Sequence, residues 1–488
     1  MTKIRKSKKD RNVFRSVHTL AALLSGPLLF FLCLGALPES LFPALAARAA
    51  AGCMGWMILW WMMRPVDYAV TALLPVAVNA FFPMAQMRNV LSCYASETIL
   101  LLFAASILSA ALEETGLGRR LAIGFLYRVG EGFRMQLIFW FMLAFLLSAI
   151  LPNSVVCVML TPIAVMMLRF AGEGEEQRSG KVQQSGKASH LLIYIAYAAG
   201  VGGLMTPLGG AMNLVAVDHL QRLTGKEYLY LEWVRVFLPV MAVLAVSHIL
   251  FMVRHVPSAE ILGGSREYLE QEFAALAPLR REEKASGVLF LAAAVLSFAR
   301  PLYQSILPGM KPACVFLVCA VVCFCVNGEE GQPVLEWEKV QHRIPWEMLF
   351  LFAGGLAVGT TLEESGACDA LGQLFSICAA GGERTLVPAI LILTMGLACV
   401  TSNTAAAAVS LPVVITAARS AGLDPVPYLY IASIGINLSY MLPTSIRAVP
   451  VGYGVSAGAL LEEGWKLTAL SLLLMTGLCF LLLRTGWL

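Results

Sequence analysis

Charge is what this chain has least of. Of its 488 residues only 14% are charged, against about 25% in an average soluble domain. Mean hydropathy is +0.75. That balance excludes an ordinary soluble globule and makes the long apolar runs candidate membrane spans. The net charge of +4 is too small to suggest a nucleic-acid partner. Histidine is scarce as well, with six residues, and there is no HExxH, Walker A or GxSxG signature. Nothing therefore points to an enzyme or to a resident cofactor. Twelve cysteines are present without a single CxxC pair. Most fall inside apolar runs, such as Cys314, Cys319, Cys323 and Cys325, and read as buried thiols rather than metal ligands.

The charge that is present is unevenly spread. Residues 1–15 form a basic tail holding Lys3, Arg5, Lys6, Lys8, Lys9, Arg11 and Arg15. A basic head before an apolar stretch is a cytoplasmic signature. The stretch that follows, Ser16–Pro38, is too long for a signal-peptide core and reads as the first span. Ten more candidate spans follow. They are Ala44–Met63, Tyr68–Met84, Glu97–Leu117, Leu191–His219, Trp233–Val253, Ala285–Leu302, Pro312–Val326, Trp346–Ser365, Val426–Leu460 and Lys466–Leu483. The Leu191 and Val426 spans are each interrupted.

Two further runs, Met135–Leu168 and Thr385–Ala418, each carry no charge over 34 residues by subtraction. A straight span needs about 20 residues. Each run is broken near its middle, by "LPNSV" (Leu151–Val155) and by "TSNTA" (Thr401–Ala405). Both read as re-entrant hairpins with a non-helical tip at membrane depth. Such backbone is tolerated only inside protein or along a wet cavity. With the hairpins counted as zero crossings, Arg119, Arg120, Arg128, Arg134, Arg266, Arg280 and Arg281 fall in cytoplasmic connections. The bias favours a cytoplasmic N-terminus and an external C-terminus in a cell (plasma or inner) membrane. The expected organisation is an N-terminal part, 16–254, with hairpin 135–168. A cytoplasmic connection, 255–284, partly helical, joins it to a C-terminal part, 285–488, with hairpin 385–418. The polar segment 171–189 is expected to be a flexible loop.

The two halves repeat. Asn153 and Asn403, Pro162 and Pro412, and "LEETG" from Leu112 and "LEESG" from Leu362 all differ by 250. Five crossings separate the hairpins, an odd number, so the second copy is inverted. The expected fold is an all-α polytopic membrane protein with about eleven transmembrane helices and two re-entrant hairpins in an inverted repeat. Inverted repeats with broken helices meeting at the midplane characterise secondary transporters. The breaks are "GVGGLMTPLGGAMNL" (Gly200–Leu214) and "YMLPTSIRAVPVGYG" (Tyr440–Gly454). An intramembrane enzyme would need a nucleophile–base pair or metal cluster, and the midplane carries amides and hydroxyls instead. An open channel fits paired, occludable tips poorly.

"TSNTAAAAVSLP", "IPWEMLFLFAGGLAVGTTLEESG" (Ile344–Gly366) and the two breaks resemble the divalent anion/sodium symporter family, over nearly the whole chain from about Pro65. The resemblance implies a homodimer that moves small di- or tricarboxylates or sulfate by an elevator motion, coupled to Na+. It implies substrate contacts at Asn153, Ser154, Ser402, Asn403, Thr404 and Thr444. It implies sodium contacts at Ser148, Asn153, Thr206, Asn213, Thr401 and Asn403. Three departures stand out. Pro152 replaces the first tip serine. Ala398, five residues before Asn403, lacks the hydroxyl that Ser148 offers before Asn153. Arg447 stands where the second break would carry asparagine.

Arginine at membrane depth costs about 2.5–3.5 kcal/mol and is normally paired or functional. Arg447 has two readings: a structural tie to an internal carboxylate or to carbonyls of the break, or a functional group. The functional role is a substrate anion clamp or a fixed stand-in for a cation. The function expected is sodium-coupled import of a small divalent anion, with sodium-independent anion exchange as the alternative. Glu113, Glu114, Glu363 and Glu364 are expected to cap or anchor helix ends, His219 and His248 to pack, and Trp60, Trp61, Trp346 and Trp465 to sit at the interface.

Overall fold

The computed structural model describes residues 20–172, 174–176, 182–184, 186–254, 256–257, 259–329, 331, 333–368, 370 and 382–488. The basic tail lies outside the described residues. The fold is nearly all helical. Among the described residues the two strands form a short antiparallel pair, Gly174–Glu176 with Val182–Gln184, in the polar segment expected to be a flexible loop. Among the described residues five helical segments are long and apolar enough to cross a membrane: Met87–Thr115, Asn153–Phe170, Tyr230–Val253, Glu383–Val400 and Ala457–Arg484. Shorter apolar helices occupy Leu20–Ala36, Tyr68–Phe81, Phe133–Ser148 and Pro312–Cys325.

The repeat read from the sequence is present in the elements. Helices Asn153–Phe170 and Asn403–Ser420 are both 18 residues long, both begin at the tip asparagine and both contain the internal proline. Each is preceded by another apolar helix, Phe133–Ser148 or Glu383–Val400, across a short non-helical tip at 149–152 or 401–402. Upstream, helices Glu97–Thr115 and Trp346–Glu364 are both 19 residues long. Both stop at a left-handed glycine, Gly116 with φ 79° and Gly366 with φ 76°. Glycine adopts this conformation at no Cβ penalty, so "LEETG" and "LEESG" are helix stops.

The chain divides into two compact units. The first takes the chain to Ile99, Pro345–Leu386 and Thr404–Tyr428. Its core gathers Phe30, Ala50, Trp61, Leu351, Val358, Ala405 and Ala408. Trp61 is thus buried, not interfacial, because its face of helix Leu45–Met63 is packed with small residues. Trp346 and Trp465 are exposed. The expected span Tyr68–Met84 is two short helices, Tyr68–Thr71 and Leu74–Phe81. Pro75 sets the start of the second, where a missing N–H costs nothing. In the same unit Glu364 accepts hydrogen bonds from the Gln86 amide (2.8 Å) and Asn89 (2.7 Å).

The second unit takes Leu100–Ile344, Val387–Asn403 and Leu429–Leu488. At its centre runs helix Gly186–Gly202, buried all round from Leu191 to Gly202. A helix apolar on every side belongs in a core. It packs on Phe133–Ser148 and Asn153–Phe170. Gly202 permits this, since a Cβ there would strike the Phe145 carbonyl. The connection 255–284 contains a helix, Ser265–Ala274, as expected. Arg343 pairs with Glu113 (3.6 Å) and Glu114 (2.5 Å). The second broken element ends sooner than the expected Leu460. Its exit helix is only Ala448–Gly452. Gly454, with φ 100°, turns the chain, and Ser456 caps a new 28-residue helix, Ala457–Arg484.

Candidate functional site

The two breaks are tied down by the same bond. In the first, Thr206 caps a 3-10 turn at Pro207–Gly209 and its Oγ1 donates to the Ala149 carbonyl at 2.5 Å. In the second, Thr444 precedes a 3-10 turn at Ser445–Arg447 and its Oγ1 donates to the Cys399 carbonyl at 3.1 Å. The two acceptors differ by 250, the offset of the duplication (399 − 149). Each break is therefore hooked to the same place, at the end of the helix that leads into its own tip. Three residues beyond each threonine stand Gly209 and Arg447.

Around the first break the polar groups close on one another. Ser148 Oγ donates to the Ala199 carbonyl at 2.7 Å. Asn213 Nδ2 donates to the carbonyls of Gly203 (2.6 Å) and Thr206 (2.9 Å). Its Oδ1 accepts from Asn437 Nδ2 at 3.3 Å. Ser148, Thr206 and Asn213 are all buried. The backbone at Gly209 comes so close that a Cβ would strike the Ser148 and Gly203 carbonyls. Asn153 is half-buried against Gly203, and Ser154 is exposed. Hydroxyl, amide and carbonyl oxygens without a carboxylate are the ligand type that suits a hard, desolvated monovalent cation.

Around the second break the centre is filled. Arg447 is 1% exposed, and its guanidinium donates only to neutral protein oxygens. Nη1 reaches the Ser439 carbonyl at 2.7 Å. Nη2 is shared among Asn403 Oδ1 (3.2 Å), Thr444 Oγ1 (3.2 Å) and the Ala398 carbonyl (3.4 Å). No carboxylate among the described residues pairs with it, so the tie to carbonyls holds and the internal salt bridge does not form. Asn403 Oδ1 also accepts from Ser439 Oγ at 3.2 Å. That leaves two buried donors without a partner among the described residues, Asn403 Nδ2 and Arg447 Nε. Since arginine only donates, its contact with Asn403 fixes which amide atom is oxygen. Ser445, with φ 52°, sits in the left-handed region, a conformation a non-glycine side chain resists.

The remaining expected residues fall as follows. Thr401 Oγ1 donates to the Leu397 carbonyl at 2.7 Å, ending the first arm. Ser402 is half-buried at the tip. Thr404 is buried but belongs to the first unit. The two halves of the second unit also touch through residues that pattern reading passes over. Cys157, one turn into the first tip helix, donates its thiol to the Ile446 carbonyl at 3.6 Å. Tyr197 donates to the Tyr440 carbonyl at 2.9 Å. His248 is held between Tyr440 Oη (2.9 Å) and the Leu244 carbonyl (2.7 Å). Asn437 is the telling omission: within "NLS" it reads as a glycosylation sequon in a buried helix, and its position at the end of a broken helix is the signal that marks it.

Residues 58–435 match the citrate transporter family. The chain belongs to that family. It is accordingly a multi-pass membrane transporter and not an enzyme, and the motif resemblance to the divalent anion/sodium symporters stands. The sodium-dependent dicarboxylate transporter SdcS of Staphylococcus saprophyticus is 25% identical over 481 residues, covering 96% of this chain and 92% of that protein. SdcS of Staphylococcus aureus strain NCTC 8325 is 26% identical over 466 residues, covering 93% and 88%. Among solved structures, the YdaH transporter of Alcanivorax borkumensis aligns over 82% of this chain and 88% of its own, with TM-score 0.51 and 14% identity. MtrF of Neisseria gonorrhoeae aligns over 87% and 94%, with the same TM-score and identity. Those two likenesses speak to the fold alone.

Proposed function

We propose that this transporter carries small dicarboxylates into the cell by sodium-coupled symport. The observation that carries this reading is the Asn403–Arg447 cluster: a desolvated positive charge with no carboxylate, beside an unpaired amide donor. A buried group in that state calls for an acceptor, and a substrate carboxylate supplies one. Asn403 Nδ2, Ser402, Thr444 and, from the other tip, Asn153 and Ser154 are the substrate contacts, in the positive field of Arg447. Asn153 and Asn403 each begin an 18-residue helix, and helix N-termini favour anions. Sodium is co-transported cargo, taken by the oxygens around Ser148, Asn153, Thr206 and Asn213. The names of the staphylococcal relatives support both the substrate class and the ion. The cluster from Ser148 to Arg447 falls within one compact unit, which supports an elevator motion carrying the site as a body. Eleven crossings, two re-entrant hairpins, a homodimer and a cytoplasmic N-terminus complete the proposal.

Proteoliposomes loaded with labelled succinate outside test it. Saturable uptake should be driven by an inward sodium gradient and not by potassium. Asn403→Ala should abolish uptake while the protein still elutes as a folded species; full retained uptake would refute the tip assignment. Uptake that ignores sodium and needs internal dicarboxylate would assign exchange instead.

A further inference from the structure

The duplication makes a demand that the second half does not meet in the ordinary way. If each half builds a cation site, the second should lie between the positions equivalent to Ser148 and Asn153, which are Ala398 and Asn403. Arg447 Nη2 lies between those two residues, 3.4 Å from the Ala398 carbonyl and 3.2 Å from Asn403 Oδ1. The hydroxyl of Thr444 at 3.2 Å and the Ser439 carbonyl, 2.7 Å from Nη1, complete an oxygen cage. The first half has Gly209 at the corresponding place, three residues after its hooked threonine, and so sends no side chain there.

We propose that Arg447 is a tethered cation that occupies the second of the two cation sites built by the inverted repeat. This rests on the reading of the protein as a cation-coupled dicarboxylate transporter. An anion clamp would turn its paired Nη groups toward the ligand. Both Nη atoms of Arg447 are instead engaged with protein oxygens, and Nε is the guanidinium nitrogen that has no partner among the described residues. Its charge stabilises the second tip permanently, where a diffusible ion would do so only when bound. One coupling cation is thereby lost from each cycle, because a tethered charge returns with the protein.

The test counts sodium in succinate uptake by proteoliposomes for the wild type, Arg447→Ser and Arg447→Lys. The wild type should show a sodium Hill coefficient of about 1, and Arg447→Lys should match it. Arg447→Ser should require roughly one more sodium, with succinate affinity lowered at least tenfold in low sodium and restored by high sodium. An Arg447→Ser protein with unchanged sodium dependence, or an affinity loss that sodium does not rescue, overturns the proposal in favour of a substrate clamp. Should Arg447→Ser fail to fold, the wild-type count decides: about one sodium supports the tethered cation, and two or more overturn it. A wild type indifferent to sodium defeats symport alone, and sodium dependence newly acquired by Arg447→Ser would still support the tethered cation.

Discussion

Arg447 differs from other arginines of its unit in what holds it. Arg300, 2% exposed, is paired with Glu227 at 2.8 Å, and half-buried Arg120 with Glu283 at 3.0 Å. Those pairs neutralise themselves, whereas Arg447 leaves a net charge inside the protein. Its neighbours are correspondingly sensitive. Thr206→Val and Thr444→Val each remove the hydroxyl that hooks a break to the end of the helix leading into its tip, at a cost of about 1–3 kcal/mol. Both should lower the melting temperature of the detergent-solubilised protein. Thr444→Val also removes a substrate contact and an acceptor of Arg447, and Thr206→Val a sodium contact, so each should in addition cut succinate uptake by about tenfold, equivalent to about 1.4 kcal/mol. High sodium should restore uptake by Thr206→Val; a Thr206→Val loss that sodium does not rescue would show that Thr206 only ties the break.

At the scale of elements, the duplication governs where helices stop and start. Gly116 and Gly366 end paired helices in the left-handed conformation, and a Cβ at either would meet nothing within 4 Å. Gly116→Ala and Gly366→Ala should therefore cost only the backbone penalty, roughly 1–2 kcal/mol each. Thermal melting of the two variants should give similar losses; a loss confined to one would show that the two stops no longer do the same work. The copies have diverged after the breaks. Helix Ala211–Thr224 has 14 residues where Ala448–Gly452 has five. The shortening follows from Gly454 and Ser456, which stop one helix and cap the next within three positions.

For the molecule as a whole, the charge moved in one cycle follows from how many cations travel with the substrate. Succinate carries two negative charges. One accompanying sodium leaves a net charge of −1, and an inside-negative potential of 100 mV then opposes uptake by about 2.3 kcal/mol. Imposing that potential with valinomycin and a potassium gradient should lower succinate accumulation roughly fiftyfold, the factor that 2.3 kcal/mol represents. Voltage-independent accumulation would mean two sodium ions, and stimulation would mean three. Because an arginine rides with the protein in both directions, Arg447 adds nothing to this sum.

The sequence by itself determined the class of molecule, the duplication and the two tips. Low charge, a constant offset of 250 and neighbouring polar residues inside apolar runs are local signals, and they persist at the starts of the helices Asn153–Phe170 and Asn403–Ser420. The helix ends at "LEETG" and "LEESG" were equally legible, whereas the left-handed turn at Gly116 and Gly366 came from the structure. Only the tertiary structure decided what Arg447 touches. Its partners Ala398, Asn403 and Ser439 lie on separate elements, and the choice between carboxylate and carbonyls depends on packing that no spacing encodes. The match of Thr206–Ala149 to Thr444–Cys399 was hidden for the same reason: the break lengths differ between copies, so the threonines lose the offset that their acceptors keep. A hydrogen bond between distant segments registers in coordinates and leaves no period in the chain.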